Sequence, residues 1–321
     1  MKDNKKRHKK ITFGTVSRVL WAIVRAVIVV GICFVILQPF FKKLSVSFMA
    51  ESDLYDASVK YIPKHFTVNN FKMAFLGLGF PWSFIKTFLL STLISTLQLV
   101  SCLLSAYGFA RFRFPGRKIL FGAIIFTMLV PPQIIMLPMF MTYRFFDPLG
   151  MVSLIYGKSI NLINTPIPQI LQSMTCMGFK NGLYIYMLRQ FFKGMPRELD
   201  EAAKVDGCGK FRTFVQIMLP SAVPMMVTVF LFGFVWQWTD NFYTSLFMPN
   251  VKLLATGLSS LVASVYSQYE SFGGSMNFIS PGFSSMMNNT GVIILIVPLL
   301  VLYLVCQRYF VEGIERSGIV G

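Results

Sequence analysis

Long apolar runs, not strict alternation, organise this chain. A membrane-crossing helix needs about 20 mostly apolar residues, and six runs come near that length: roughly 19–41, 84–109, 119–143, 170–192, 222–248 and 291–309. They predict an all-α, polytopic membrane protein with about six transmembrane helices. The first run holds Arg25 and continues into Gln38-Pro39-Phe40-Phe41-Lys42-Lys43 without a small-x-small cleavage site. It therefore reads as a retained helix, not a removed signal peptide.

The connections between the runs are unequal. A short turn, Arg111-Phe112-Arg113-Phe114-Pro115-Gly116-Arg117-Lys118, joins the second run to the third. Three longer stretches, 42–83, 144–169 and 249–290, fall on the opposite side, and the last contains a short helical pattern over 254–269. Basic residues set the orientation. With the N-terminus inside, nineteen Lys and Arg fall in inner segments and eight in outer ones, which predicts both termini in the cytoplasm. The expected organisation is a basic tail over 1–18, a first helix and outer loop over 19–81, a five-helix core over 82–310 with an inner loop at 193–220, and a second inner tail over 311–321. The Lys5-Lys6-Arg7-His8-Lys9-Lys10 tail is a topology signal that can also meet anionic lipid.

Composition narrows the function. Of 321 residues, 55% are hydrophobic and 13% charged, about half the charged share of a soluble domain. Disorder is excluded by the same hydrophobicity. The net charge of +17 would point to nucleic acid in a soluble chain. Here the basic residues flank apolar runs, so membrane topology accounts for them and no nucleic-acid partner is expected. Cys33, Cys102, Cys176, Cys208 and Cys306 are scattered, and His8 and His65 lie far apart. No metal site or disulfide framework is expected from that spacing.

The richest stretch is Met195-Pro196-Arg197-Glu198-Leu199-Asp200-Glu201-Ala202-Ala203-Lys204-Val205-Asp206-Gly207. Pro196 suits a first helical turn, the three acids that follow favour the N-terminal end of a helix dipole, and Gly207 permits the left-handed residue that ends a helix. A small apolar surface with acidic flanks, held at the membrane face, fits a groove on a partner. Glu201-Ala202-Ala203, then Gly207, then Ile217-x-Leu219-Pro220 has the spacing of the EAA motif. The chain thus resembles the permease subunits of bacterial ABC sugar importers, in particular the maltose-type partner permeases. Ser105-Ala106-Tyr107-Gly108-Phe109-Ala110-Arg111-Phe112, Leu188-Arg189-Gln190-Phe191-Phe192 and Gln307-Arg308-Tyr309-Phe310-Val311-Glu312-Gly313 carry the resemblance further, from about residue 82 onward.

The resemblance implies a type I ABC importer permease fold in a bacterial cytoplasmic membrane. It implies a coupling helix centred on Glu201, Ala202, Ala203 and Gly207, with Asp206 beside it, seated on a separate ATPase. The implied partners are a second homologous permease, a dimer of ATP-binding subunits and an extracytoplasmic solute-binding protein. ATP and Mg belong to the ATPase; this chain needs no cofactor and is not an enzyme. Its own sequence agrees: Gly157-Lys158-Ser159 resembles the tail of a phosphate-binding loop, but the upstream glycine such a loop requires is Val152.

The substrate expected by resemblance is a carbohydrate, oligosaccharide most of all. Trp236-Gln237-Trp238-Thr239-Asp240-Asn241-Phe242-Tyr243 is the candidate path. Rings can stack on sugar faces while Gln237, Asp240 and Asn241 bond hydroxyls; an interfacial aromatic belt with a capping acid is the competing reading. Related permeases carry a Trp-Asn-Asp-Phe-like pattern here, from which Thr239 and Asn241 depart. Two other readings stay open: a permease for a non-sugar solute, and an ion-coupled secondary transporter. The second would want paired intramembrane acids, and only Asp240 qualifies. A membrane-embedded enzyme has no visible nucleophile–base spacing to support it.

Overall fold

Proline and small polar residues decide where the apolar runs become one helix and where they break. The structure, a computed structural model, describes residues 13–178, 180–271 and 279–318. The basic segment Lys5–Lys10 and the last three residues lie outside them. In order, the helices are α1 (Phe13–Ser47), α2 (Glu51–Leu54), α3 (Asn69–Leu78), α4 (Trp82–Arg111), α5 (Arg117–Thr127) and α6 (Pro132–Arg144). Then come α7 (Met151–Tyr156), α8 (Ile167–Met174), α9 (Asn181–Gly194), α10 (Glu198–Val205), α11 (Lys210–Thr213) and α12 (Leu219–Ser221). The remainder is α13 (Val223–Thr239), α14 (Phe242–Phe247), α15 (Leu254–Ser259), α16 (Leu261–Ser271) and α17 (Pro281–Gly318). No strand occurs among the described residues; there are two isolated β-bridges.

Three stretches are unbroken, long and apolar enough to cross a membrane: Leu20–Ser47, Trp82–Arg111 and Pro281–Val311. The helices in which they lie, α1, α4 and α17, contain the first, second and sixth runs read from the sequence and extend beyond them. The third run is divided. α5 and α6 meet at 99° because Pro131 and Pro132 supply no amide hydrogen and bias the preceding residue away from helix. The α11–α12 segment meets α13 at 77°, with Pro220 and Pro224 on either side of the bend. Counting each bent pair as one span gives five among the described residues. The fourth run, 170–192, is interrupted between α8 and α9, where Cys176 and Lys180 take positive φ.

The chain divides into two compact units. One comprises residues up to 71 together with 279–293. In it, α1 leaves its apolar side chains exposed, Trp21, Val27, Phe34 and Ile36 among them, as expected of a helix whose solvent is lipid. Beyond α1 the chain folds back. The Asn70 side-chain amide donates to the carbonyls of Ser47 and Met49, at 3.1 and 2.9 Å. The Asp53 carboxylate, itself buried, accepts from the His65 amide at 2.8 Å and contacts its Nδ1 at 2.7 Å. The His65 backbone and ring hold the Asp53 carboxyl below the usual carboxylate range. A depressed carboxylate pKa contributes stability above the unfolded value, about 3.9, and loses it as pH falls through the folded one. Acidification below about pH 4 should therefore loosen this loop, read as protease nicking between 55 and 65 in the membrane-embedded chain. D53N should nick at neutral pH to a similar extent; full resistance in D53N would contradict the assignment.

The other unit comprises 72–278 and 294 onward. Its centre is α4, packed on α8, α9 and α13. One face of α4 carries Ser83, Thr87, Ser91, Ser95, Gln98 and Ser101, all buried. Small hydroxyl residues let helices approach closely. Several satisfy themselves on their own helix: Thr87 Oγ1 donates to Ser83 O at 2.7 Å and Ser95 Oγ to Ser91 O at 2.6 Å. Ser101 Oγ reaches across to Ser173 O at 2.6 Å, tying α4 to the end of α8. Below this layer the core becomes aromatic and aliphatic, with Tyr107, Tyr184, Leu188, Phe192, Phe214 and Met225 in one cluster. Gly182 allows α9 to press against α5: a Cβ there would lie 2.9 Å from Met128 Cγ and 3.0 Å from the Ile124 carbonyl.

Candidate functional site: a capped loop helix and a polar cavity

The loop helix forms where the sequence places it. α10 spans Glu198–Val205, with Glu198, Asp200 and Glu201 in its first turn. It ends in a Schellman arrangement: Gly207 has φ of +72°, the Cys208 amide donates to Ala203 O at 2.8 Å and the Gly207 amide to Lys204 O at 3.1 Å. This pattern satisfies carbonyls a helix end otherwise leaves open. Ala203 is fully buried, on the side turned toward the rest of the chain. Glu201, Ala202 and Asp206 are exposed, and so are the apolar Val205, at 88%, and Phe211, at 77%. The five residues of the expected coupling motif therefore divide by role. Ala203 and Gly207 build the knob, while Glu201, Ala202 and Asp206 are its outward surface.

An ion pair fastens the knob. Arg111, at the last residue of α4, places Nη1 2.9 Å from Asp200 Oδ2 and donates from Nη2 to Met195 O at 3.0 Å. The Arg111 side chain is only 8% exposed and that of Asp200 23%. The central helix thus holds the loop directly, a connection that sequence reading missed. Its only signal was an acid in the loop and an arginine just beyond the second run, 89 positions apart.

The candidate path residues have different fates. Trp238 is fully buried, donates from Nε1 to Leu295 O at 3.0 Å, and contacts the rings of Phe84 and Phe234. It is a core residue, whereas Trp236 is 45% exposed and has Lys180 Nζ 4.8 Å from its ring centroid. Trp236, Gln237 and Asp240 meet Gln98, Gly233 and Tyr243 around a cavity of about 20 Å³. That is space for one water, not a sugar ring. Gln98 and Tyr243 join the candidates only through the fold. Asn241 lies outside the cavity and accepts from Ser245 Oγ at 3.2 Å.

Asp240 has a clear structural task. Its carboxylate accepts from the amides of Tyr243 and Thr244, at 3.2 and 2.7 Å, and from Thr244 Oγ1 at 2.7 Å. It starts α14. Losing such a cap costs about 0.5–2 kcal/mol. D240A should lower the thermal midpoint of the purified chain, and D240N, which retains an acceptor oxygen, should lower it less. Equal losses would contradict the capping role. Among the described residues no group of three or more His, Cys, Asp or Glu is arranged to hold a metal ion.

The chain is thus a helical membrane protein with a capped loop helix ahead of the bent α11–α13 segment. The chain belongs to the family of binding-protein-dependent transport system inner membrane components, whose model matches residues 98–314. It is 28% identical to the alpha-glucoside transport system permease protein AglG of Rhizobium meliloti, over 81% of this chain but 62% of that protein. It is 28% identical to the trehalose transport system permease protein SugB of Mycobacterium tuberculosis, over 94% and 97% of the two chains. The arabinooligosaccharides transport system permease protein AraQ of Halalkalibacterium halodurans is 26% identical, over 90% and 93%. The fold matches a chain in a crystal structure of a bacterial ABC transporter involved in the import of the acidic polysaccharide alginate. That match has a TM-score of 0.67 at 19% identity and covers 92% of this chain and 98% of the other. The family and these relatives are transport components, not enzymes.

Proposed function

We propose that this chain forms half of the translocation path of an ATP-driven importer for a carbohydrate, an oligosaccharide in particular. The observation that carries the reading is α10: an EAA helix with a buried Ala203 and an exposed Glu201, Ala202 and Asp206, capped at Gly207. A rigid knob of this kind suits a cleft on an ATPase, where domain closure would move it as a body. Glu201, Ala202 and Asp206 make the contact; Ala203 and Gly207 keep its shape. The carbohydrate assignment is supported by the alpha-glucoside, trehalose and arabinooligosaccharide systems of the relatives.

The complete importer contains a second homologous permease, a dimer of ATP-binding subunits that carry ATP and Mg, and an extracytoplasmic binding protein. It sits in a bacterial cytoplasmic membrane with both termini of this chain on the cytoplasmic side. Residues 82–310 supply the core, with the coupling loop at 193–220. Trp236, Gln237 and Asp240 line a pathway that is closed in this conformation, and Trp238 and Asn241 support its walls. The closed cavity opens when the binding protein docks and ATP binds; hydrolysis resets it.

The test is purification of the tagged chain in mild detergent, with mass spectrometry of what accompanies it. A Walker-type ATPase and a second EAA permease should be recovered. Recovery of the chain alone, moving solute on an ion gradient without ATP, would favour the secondary-transporter reading.

A further inference from the structure

Beside the coupling knob, and sharing Glu201 with it, lies a second feature. A cavity of about 350 Å³ opens between the end of α4, the start of α5, the C-terminal half of α9 and α10. That volume is within the range of ligand clefts, about 300–1,000 Å³. Seven basic side chains line it, among them Arg113, Arg117, Arg189, Lys193 and Arg197, against only Asp200 and Glu201. Asp200 is already paired with Arg111. Topology alone requires basic residues near the inner face, but it does not require four helices to bring theirs to one cavity.

Two details show how its guanidinium groups are held. Arg111 spends both terminal nitrogens on Asp200 and Met195, yet its buried Nε has no hydrogen-bond partner. Arg189, also with a partnerless buried Nε, lies 3.9 Å over the Phe121 ring, so an aromatic face is committed to holding a guanidinium in place. Concentrated positive charge of this kind is self-repelling unless an anion offsets it. Guanidinium groups are suited to phosphate, which they bind through paired hydrogen bonds.

The surroundings distinguish the carrier of that phosphate. A neighbouring cavity shares Arg113 and Arg117 and is lined also by Lys118, Phe114 and Ile119. Ile119 and Leu120, on the first turn of α5, are 79% and 52% exposed. Basic residues therefore pass directly into an uncovered apolar strip. A soluble anion has no use for the strip; an acyl chain does. Basic pockets between helices on the cytoplasmic side are suited to anionic lipid headgroups.

We infer that this cavity holds the phosphate of an anionic phospholipid from the inner leaflet, with an acyl chain along Ile119 and Leu120. The leaflet assignment rests on the topology proposed above; binding itself does not. Because Arg111 touches both the cavity and Asp200, the lipid would sit next to the fastening of the coupling knob.

The experiment uses the purified full chain in neutral detergent, titrated with phosphatidylglycerol or phosphatidylcholine and read by native mass spectrometry. Phosphatidylglycerol should be retained at least tenfold more tightly than phosphatidylcholine. R117Q/K193Q should lose that preference, and R117K/K193R, which keeps the charge, should retain most of it. Far-ultraviolet circular dichroism identifies a variant that has failed to fold. A chain that binds inorganic phosphate in competition but shows no lipid preference would overturn the lipid source. Equal retention of both lipids by wild type, or an unchanged preference in R117Q/K193Q, would overturn the site. Neither ATPase nor transport enters the measurement, so its failure would leave the importer reading intact, and a failed importer test would leave this one standing.

Discussion

Ala202→Asp should leave the chain folded in its membrane and reduce ATP-driven uptake by roughly 30-fold. Ala202 is exposed on α10 between Glu201 and the buried Ala203, while Val205 projects further out at 88% exposure. A side chain at 202 is exposed on its own subunit, so a large effect points to a partner. The centre of a protein interface loses about 2 kcal/mol or more when a well-seated contact is disrupted, which is roughly 30-fold in an equilibrium. The measurement is uptake and ATP hydrolysis side by side in reconstituted vesicles. Hydrolysis persisting without uptake, or both lost with the ATPase released, would each fit a docking surface. Unchanged uptake would not. The neighbouring Ala203→Asp is a contrasting control: that position is fully buried, so this variant should unfold the loop itself and become sensitive to proteolysis.

The second large effect concerns Arg111 and Asp200. Removing one member of a buried ion pair costs about 3–5 kcal/mol because the other charge is left unpaired. The Asp200 side chain retains 23% exposure, so D200N should fall near or below the lower end of that range. R111Q should cost more than a surface substitution on two grounds, since Arg111 also donates to Met195 O. The readout is the thermal midpoint of the purified chain together with protease sensitivity of 195–207. R111M/D200L, which removes both charges, should recover part of the loss. A double variant as unstable as the sum of the singles would show that the pair does not act as a unit. If both single variants kept the wild-type midpoint, the fastening would be contradicted.

The parts of this molecule most legible in its sequence are those set by local chemistry. Pro196, the acids 198–201 and Gly207 specify where α10 starts and stops, and helix and cap form there. The same holds for the unbroken spans, where apolar content over the whole run leaves the backbone no alternative to helix in lipid. Hydrophobicity is a poor guide to breaks, because a bent helix and a straight one bury the same residues. Pro131-Pro132 marked the α5–α6 bend in plain sight, yet the run around it reads as one span. The α8–α9 break carries a weaker signal still: Cys176 and Lys180 take positive φ without being the residues that favour it.

The candidate path was legible only in part for a different reason. Trp236 and Trp238 are two positions apart, which on a helix turns one side chain about 200° from the other. One faces Lys180 and the small cavity; the other enters the core against Phe84 and Phe234. Sequence alone does not say which. Gln98 and Tyr243 come to the cavity from α4 and α14, and no local pattern links them. Asp240 invited a functional reading because acids are costly near a span; its three hydrogen bonds at the start of α14 show what offsets that cost.

In the proposed importer, energy reaches this chain from a separate ATPase through α10. The most direct test is solute uptake into vesicles holding the complete complex, energised in one arm by ATP and in the other by a proton or sodium gradient, with radiolabelled oligosaccharides as probes. Uptake should require ATP, ignore the ion gradient and be lost in A202D. Uptake that followed the gradient, proceeded without ATP and was indifferent to A202D would contradict that coupling.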